Sequence, residues 1–135
     1  MFYKKNDADY RTALPGVRYK TLAVGEKTHL TEFRLAKGSK IPRHSHPHEQ
    51  TGYLVSGRMR FIIGGETFDS EPGDGWTIGG NVVHMVDVLE DSLVIEVFSP
   101  AREDYLPSVH EPGHVALRLE RGGGLPGRLC PREAR

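Results

Sequence analysis

The sequence predicts an all-β fold, a small barrel or jelly roll, and three observations carry that prediction. Short alternating or apolar runs recur along the chain: Val17 to Ala23, Thr28 to Leu35, Gly52 to Ser56, Arg58 to Ile63, Glu66 to Ser70, Trp76 to Ile78, His84 to Leu89 and Ser92 to Phe98. Turn residues punctuate them, Gly64-Gly65 and Pro72-Gly73-Asp74 most plainly. No window sustains the apolar period of a helix.

Taken in order, residues 1–16 mix charge and aromatics and end at Pro15-Gly16, so they read as an arm or edge strand. Arms of this kind often cross to a partner, which makes a homodimer the expected assembly. Gly25 parts the first two strands, with Phe33 and Leu35 on one face of the second, and Ala36 to Ser39 is a turn. Around Gly57, Met59, Phe61 and Ile63 alternate with Arg58 and Arg60, which marks an apolar inside and a charged outside. Glu90 and Asp91 read as the tip of a hairpin between the last two strands. Residues 17–107 thus form the barrel. Residues 108–135 carry the triplet Gly122-Gly123-Gly124, several prolines and scattered arginines, the composition of a flexible or loosely docked tail, in which Val115 to Leu119 is at most a short element.

Composition bounds the function classes. At 135 residues the chain is one domain, able to bury roughly two-thirds of its unfolded surface. Eighteen basic residues balance eighteen acidic ones, so no overall field draws it to nucleic acid or to anionic lipid. A small molecule, and an anionic one for the reason given below, is the expected partner. The single Cys130 cannot form an internal disulfide, the start MFYKKNDADY has no apolar signal-peptide core, and no run approaches the ~20 apolar residues of a membrane helix; the expected location is cytoplasmic.

The chemistry concentrates in Gly38 to Gly57, GSKIPRHSHPHEQTGYLVSG. His44 and His46 stand two apart, a spacing that turns both rings to one face of an extended strand, and imidazole is the commonest protein ligand for divalent transition metals. A third imidazole, His84, ends the downstream run PGDGWTIGGNVVH. A solvated histidine loop is the plain alternative, but the second segment and the strand signals on both sides favour a shared ion. His110 and His114, in the tail, have no such companions and read as surface residues.

These residues resemble the two cupin motifs over roughly residues 15–107. Gly38, His44, His46, Gln50 and Gly57 fill the places of the first motif. Gly73 and His84 match the second, while Gly79, Asn81 and Val88 stand where the family often has proline, glycine and asparagine. The resemblance implies a single cupin barrel holding one divalent transition metal, of zinc, nickel, iron or manganese type, on His44, His46, Gln50 and His84. Glu49 is the alternative fourth ligand, one residue short of the motif's position and on the other face by strand alternation. His48 shares the ligands' face but follows Pro47, which assigns it a supporting place or the barrel mouth. Three neutral imidazoles and a neutral amide would leave the ion its full double charge, which favours an anionic substrate.

HSHPHEQ, GGETF, PGD and FSPAREDYL together look like the pectin-degradation cupins of the KdgF type, which open the ring of 4,5-unsaturated uronates. That resemblance implies catalytic roles for Glu96, where the family more often has aspartate, and for Arg102, as proton relay and carboxylate clamp. Glu96 reads two ways, inward near the metal or outward to solvent. Arg102 does too, as a substrate clamp or as a surface partner of Glu103 or Asp104. Tyr53, Met59, Phe61, Trp76, Met85 and Phe98 are candidate pocket walls, although large apolar residues at period two are more often core. Rival readings are a small metal-dependent dioxygenase or polyketide cyclase, and a non-catalytic ligand- or sugar-binding barrel.

Overall fold

The structure, a computed structural model, describes residues 1–106. The expected tail 108–135, with Val115 to Leu119, His110 and His114, lies outside them. Among the described residues there are eight strands and one 3₁₀ turn: β1 Arg11–Leu14, β2 Val17–Val24, β3 His29–Leu35, β4 Lys40–His44, β5 Glu49–Ile63, β6 Glu66–Ser70, β7 Gly75–Ile78, β8 His84–Ser99 and η1 Glu103–Tyr105. All pairings are antiparallel, in the order β1-β2-β3-β8-β5-β6, with β4 added to β8 and β7 to β5. The all-β barrel read from the sequence is the fold observed. No helix among the described residues is long and apolar enough to cross a membrane.

Two long bent strands, β5 and β8, are the frame. The sequence suggested a hairpin at Glu90-Asp91, but β8 runs straight through it, and its halves pair with different neighbours: the first with β4, the second with β3. Neither residue is a glycine or asparagine able to take the left-handed angles of a tight hairpin, so the two charges simply sit exposed on a continuous strand. The break falls on the partner strand instead. Register between β5 and β8 shifts at Leu54/Ser56, Ser56/Arg58 and Arg58/Met59, around Gly57. That bulge reverses the parity of β5, so Gln50 and Leu54 face inward before it and Met59 and Phe61 after it.

Gly57 is confined to glycine for two reasons. Its φ is +101°, and a Cβ there would lie 2.2 Å from Ser92 Oγ and 2.4 Å from the Asp91 carbonyl oxygen. Gly57→Ala is therefore expected to lower stability by roughly 3 kcal/mol, strain and overpacking together. The shift of the urea unfolding midpoint reads it, and an unmoved midpoint would show that the bulge tolerates a side chain.

The inner face carries Val17, Tyr19, Phe33, Leu35, Leu54, Met59, Phe61, Val86, Val88, Val94 and Phe98, one contiguous cluster. Each such side chain contributes on the order of 1.5–3 kcal/mol when removed from water. Along β8 the even-numbered residues from His84 to Val88 and from Ser92 to Phe98 are all buried. Period two therefore places Glu96 inside, between Val94 and Phe98. The N-terminal residues lie along their own sheet: the Tyr3 hydroxyl donates to the Val24 carbonyl at 3.0 Å, and Tyr10 bonds Glu32 beneath the guanidinium groups of Arg18 and Arg34.

Candidate metal centre

Strand pairing brings the two histidine segments together. His44, the last residue of β4, is paired with His84, the first residue of β8. Beyond β4 the chain turns through His46 and Pro47 against the loop before β8, where the Asn81 N–H donates to the His46 carbonyl at 2.6 Å. Asn81 takes φ +67°, the left-handed conformation for which the resembled motif has glycine; asparagine is among the few other residues that accept it.

The three rings converge. Centroid separations are 4.2 Å for His44 and His84, 5.0 Å for His46 and His84, and 5.5 Å for His44 and His46. One nitrogen from each lies within 4.8 Å of the others, comparable with the about 3–4 Å between nitrogens that share one ion. Each Nδ1 faces a backbone carbonyl, which can only accept: Pro42 for His44 (2.8 Å), His48 for His46 (3.1 Å) and Val82 for His84 (2.9 Å). All three rings are thereby fixed as Nδ1–H tautomers with the Nε2 lone pair available. Burial, first of all, holds the His46 pKa down to about 3 and lowers that of His84, so both rings are neutral at physiological pH, the state that ligates a metal.

Gln50 adds a fourth donor. Its Nε2 donates to Glu96 Oε2 at 2.9 Å, so its carbonyl oxygen must point the other way, and that buried oxygen has no hydrogen-bond partner among the described residues. His46 Nε2 is likewise buried without a partner. Two orphaned acceptors beside two further imidazoles are what a cation would satisfy, so these residues fit the metal the resemblance implies. Glu49 is exposed and on the outer face, as alternation required. His48 is buried with its ring 5.4 Å from that of His46, and its carbonyl orients His46, the supporting place expected of it.

Glu96 resolves to the inward alternative. It is 8% exposed, and Oε2 accepts from both Gln50 Nε2 and Trp76 Nε1, the latter at 2.7 Å. Burial pushes its pKa up to about 7, against the lowering effect of those two bonds and of Arg102. Arg102, 2% exposed, is gripped by Asp104 through Nε (3.1 Å) and one terminal nitrogen (2.8 Å), and is stacked over Tyr105 and Phe98 at 4.3 and 5.3 Å. The two readings of Arg102 thus coincide in part, since it bonds Asp104 and also lines the cavity.

That cavity, about 50 Å³, is bounded by His44, Gln50, His84, Glu96 and Arg102, and by Met59, Phe61, Trp76 and Phe98 as the sequence suggested. Tyr53 does not line it. The side chain is 51% exposed, because the β5 bulge reverses parity and turns Tyr53 outward while Met59 and Phe61 turn inward. Met85 faces out as well, one residue past His84 on an alternating strand. Tyr105, Phe33, Leu35, Ile41, Val86 and Val94 complete the wall and were not among the candidate pocket residues. For Val86 and Val94 the signal was there, in the parity they share with His84 and Glu96 on β8.

His29 holds the segment that carries Arg102. It is fully buried; its Nδ1 accepts from the Arg102 N–H at 3.2 Å, so Nε2 carries the proton and donates to Thr21 Oγ1 at 2.9 Å. Burial, with the Arg102 charge second, lowers its pKa to about 4. The unfolded chain takes up a proton between pH 6.5 and 4 that the folded chain refuses. The stabilisation is therefore complete above pH 6.5 and drains as the pH falls through that window, by roughly 3 kcal/mol over its whole width. Unfolding free energies of wild type and His29→Gln at pH 7 and pH 4.5 check this; the variant's difference should be smaller by most of that contribution, the part from His46 and His84 remaining, and an unchanged slope would remove His29 as one of its sources.

A three-histidine site, two of its rings buried, where β4 meets β8 inside a small antiparallel barrel, defines a cupin. The Cupin domain family profile matches residues 31–99, and the chain belongs to that family. Within it this is a KdgF-like cupin. It is 31% identical over 93 residues to the pectin degradation protein KdgF of Dickeya dadantii, an alignment covering 67% of this chain and 84% of that protein. The structure of KdgF from Halomonas sp. superposes with a TM-score of 0.72 at 31% identity, covering 77% of this chain and 96% of that one. An RmlC-like cupin from Shewanella frigidimarina shares the fold, with a TM-score of 0.70 at 24% identity over 73% of this chain and 89% of that one.

Proposed function

We propose that this cupin is a metal-dependent enzyme that opens the ring of a 4,5-unsaturated uronate, or tautomerises a closely similar acidic enol. The observation that carries the reading is a carboxyl group, Glu96, buried in a cavity that it shares with an arginine and with His44 and His84, two of the three converging imidazoles. His44, His46, Gln50 and His84 would hold the ion, whose contribution is Lewis-acid stabilisation of negative charge developing on substrate oxygen.

The remaining work falls to the chain. Opening the ring removes the proton from the anomeric hydroxyl, breaks the bond from that carbon to the ring oxygen, and delivers a proton to the vinylic carbon; the product is an isomer, an aldehyde bearing a keto acid. Glu96, with a pKa near neutrality, suits both halves of that exchange. Arg102 supplies a planar donor pair for the substrate carboxylate, and Phe98 and Tyr105 hold its plane.

The expected result is loss of the ultraviolet absorbance of an unsaturated uronate on mixing with metal-loaded protein, and no loss after chelation. Absorbance that persists with the loaded protein would overturn the reading. Oxygen uptake in the same mixture would transfer the assignment to a dioxygenase.

A further inference from the structure

Trp76, Gly52 and Glu96 stand in one row across three neighbouring strands. Gly52 on β5 is paired with Trp76 of β7 on one side and with Glu96 of β8 on the other. Residues two strands apart are separated by roughly 9–10 Å, so their side chains do not ordinarily meet. Here they do, because the residue between them has no side chain. A Cβ on Gly52 would lie 2.3 Å from Cε2 and Nε1 of the Trp76 indole and 2.5 Å from Cζ2. Gly52 is not among the glycines with positive φ, so the position needs glycine for space and not for backbone conformation.

The indole lies across β5, with Phe61 packed 4.5 Å away, and its Nε1–H reaches Glu96 Oε2 at 2.7 Å. Gln50 Nε2, one inward position earlier on β5, donates to the same oxygen. Two donors on one oxygen fix the rotation of the carboxyl group, and the other oxygen, Oε1, receives neither.

We propose that Gly52 and Trp76 are positioning residues for Glu96: the bare backbone of Gly52 lets the indole N–H cross a strand and set which carboxyl oxygen is turned to the substrate. For its kinetic consequence this rests on the activity proposed above; the contact itself does not.

The chain has one tryptophan, so a single indole N–H resonance of the zinc-loaded protein reports the contact without substrate. In the wild type it should exchange slowly with solvent and lie downfield of an exposed indole. It should move upfield in Glu96→Gln, where the acceptor loses its charge, and in Gly52→Ala, where the ring is displaced. Trp76→Phe keeps an aromatic ring against Phe61 and removes the donor together with the second ring of the indole. Its kcat on the unsaturated uronate is expected to fall about 10–100-fold, the effect of a misdirected catalytic group, with KM within about threefold and zinc content unchanged. Wild-type kcat in Trp76→Phe would overturn the proposal, as would an indole resonance indifferent to Glu96→Gln. Should the wild type not convert the uronate at all, the proposed activity fails, and the resonance alone decides whether Trp76 holds Glu96. Should Gly52→Ala not fold, the other two variants carry the test.

Discussion

His84→Ala is expected to yield a folded protein that retains less than a tenth of the metal bound by the wild type and has no measurable turnover. His84 is 3% exposed, begins β8, and pairs with His44 across β4 and β8. Its ring touches both companion rings, so its removal leaves two imidazoles and one amide facing the ion. A ligand's partner outside the coordination sphere is worth 10–100-fold in metal affinity, and loss of a ligand itself costs more, on the order of a thousandfold or about 4 kcal/mol. The backbone pairing at position 84 does not need the imidazole, so the circular dichroism of the barrel should be retained. Elemental analysis of untagged protein reads the stoichiometry directly. The same measurement separates the two candidates for the fourth ligand: Gln50→Ala should lower metal content and Glu49→Ala should not. Full occupancy in His84→Ala would mean that the three rings do not share an ion.

Most of the barrel and most of the candidate ligands were legible because both depend on local pattern. Alternation along Met59, Phe61 and Ile63 gave the inner face, and Gly64-Gly65 gave its hairpin, with φ of +57° and +98°. What the sequence hid was where periodicity breaks. A bulge at Gly57 reverses the faces of β5, so Tyr53, expected with Met59 among the pocket walls, points to solvent. Counting from Gln50 on the near side of the glycine would have placed it correctly. The supposed hairpin at Glu90-Asp91 failed for the complementary reason: two exposed charges resemble a turn, but a strand whose long partner bends with it can carry them in extended backbone. Glu96 stayed ambiguous until the register of β8 was known, since both faces of that strand are apolar in sequence. The Trp76 contact lay beyond any local signal, because it depends on two strands meeting on either side of a third.

Glu96→Gln is expected to lower kcat by about 10²–10⁴-fold, the range of a lost proton-transfer group, while leaving metal content, fold and KM close to those of the wild type. The choice of glutamine follows from the surroundings. Two donors, Trp76 Nε1 and Gln50 Nε2, converge on Oε2, and an amide oxygen can accept both. The amide nitrogen then occupies the Oε1 position, where it cannot take a proton from substrate and return it to carbon. Alanine would be a poorer test: it strands two buried donors at roughly 1–3 kcal/mol each and frees Gln50 to turn, so that lost activity would mix misfolding with lost chemistry. Glutamine separates these effects, because metal content reports Gln50 and turnover reports the proton. Near-normal turnover in Glu96→Gln, with the metal in place, would exclude Glu96 as the relay and leave it the structural task of holding Gln50 and Trp76.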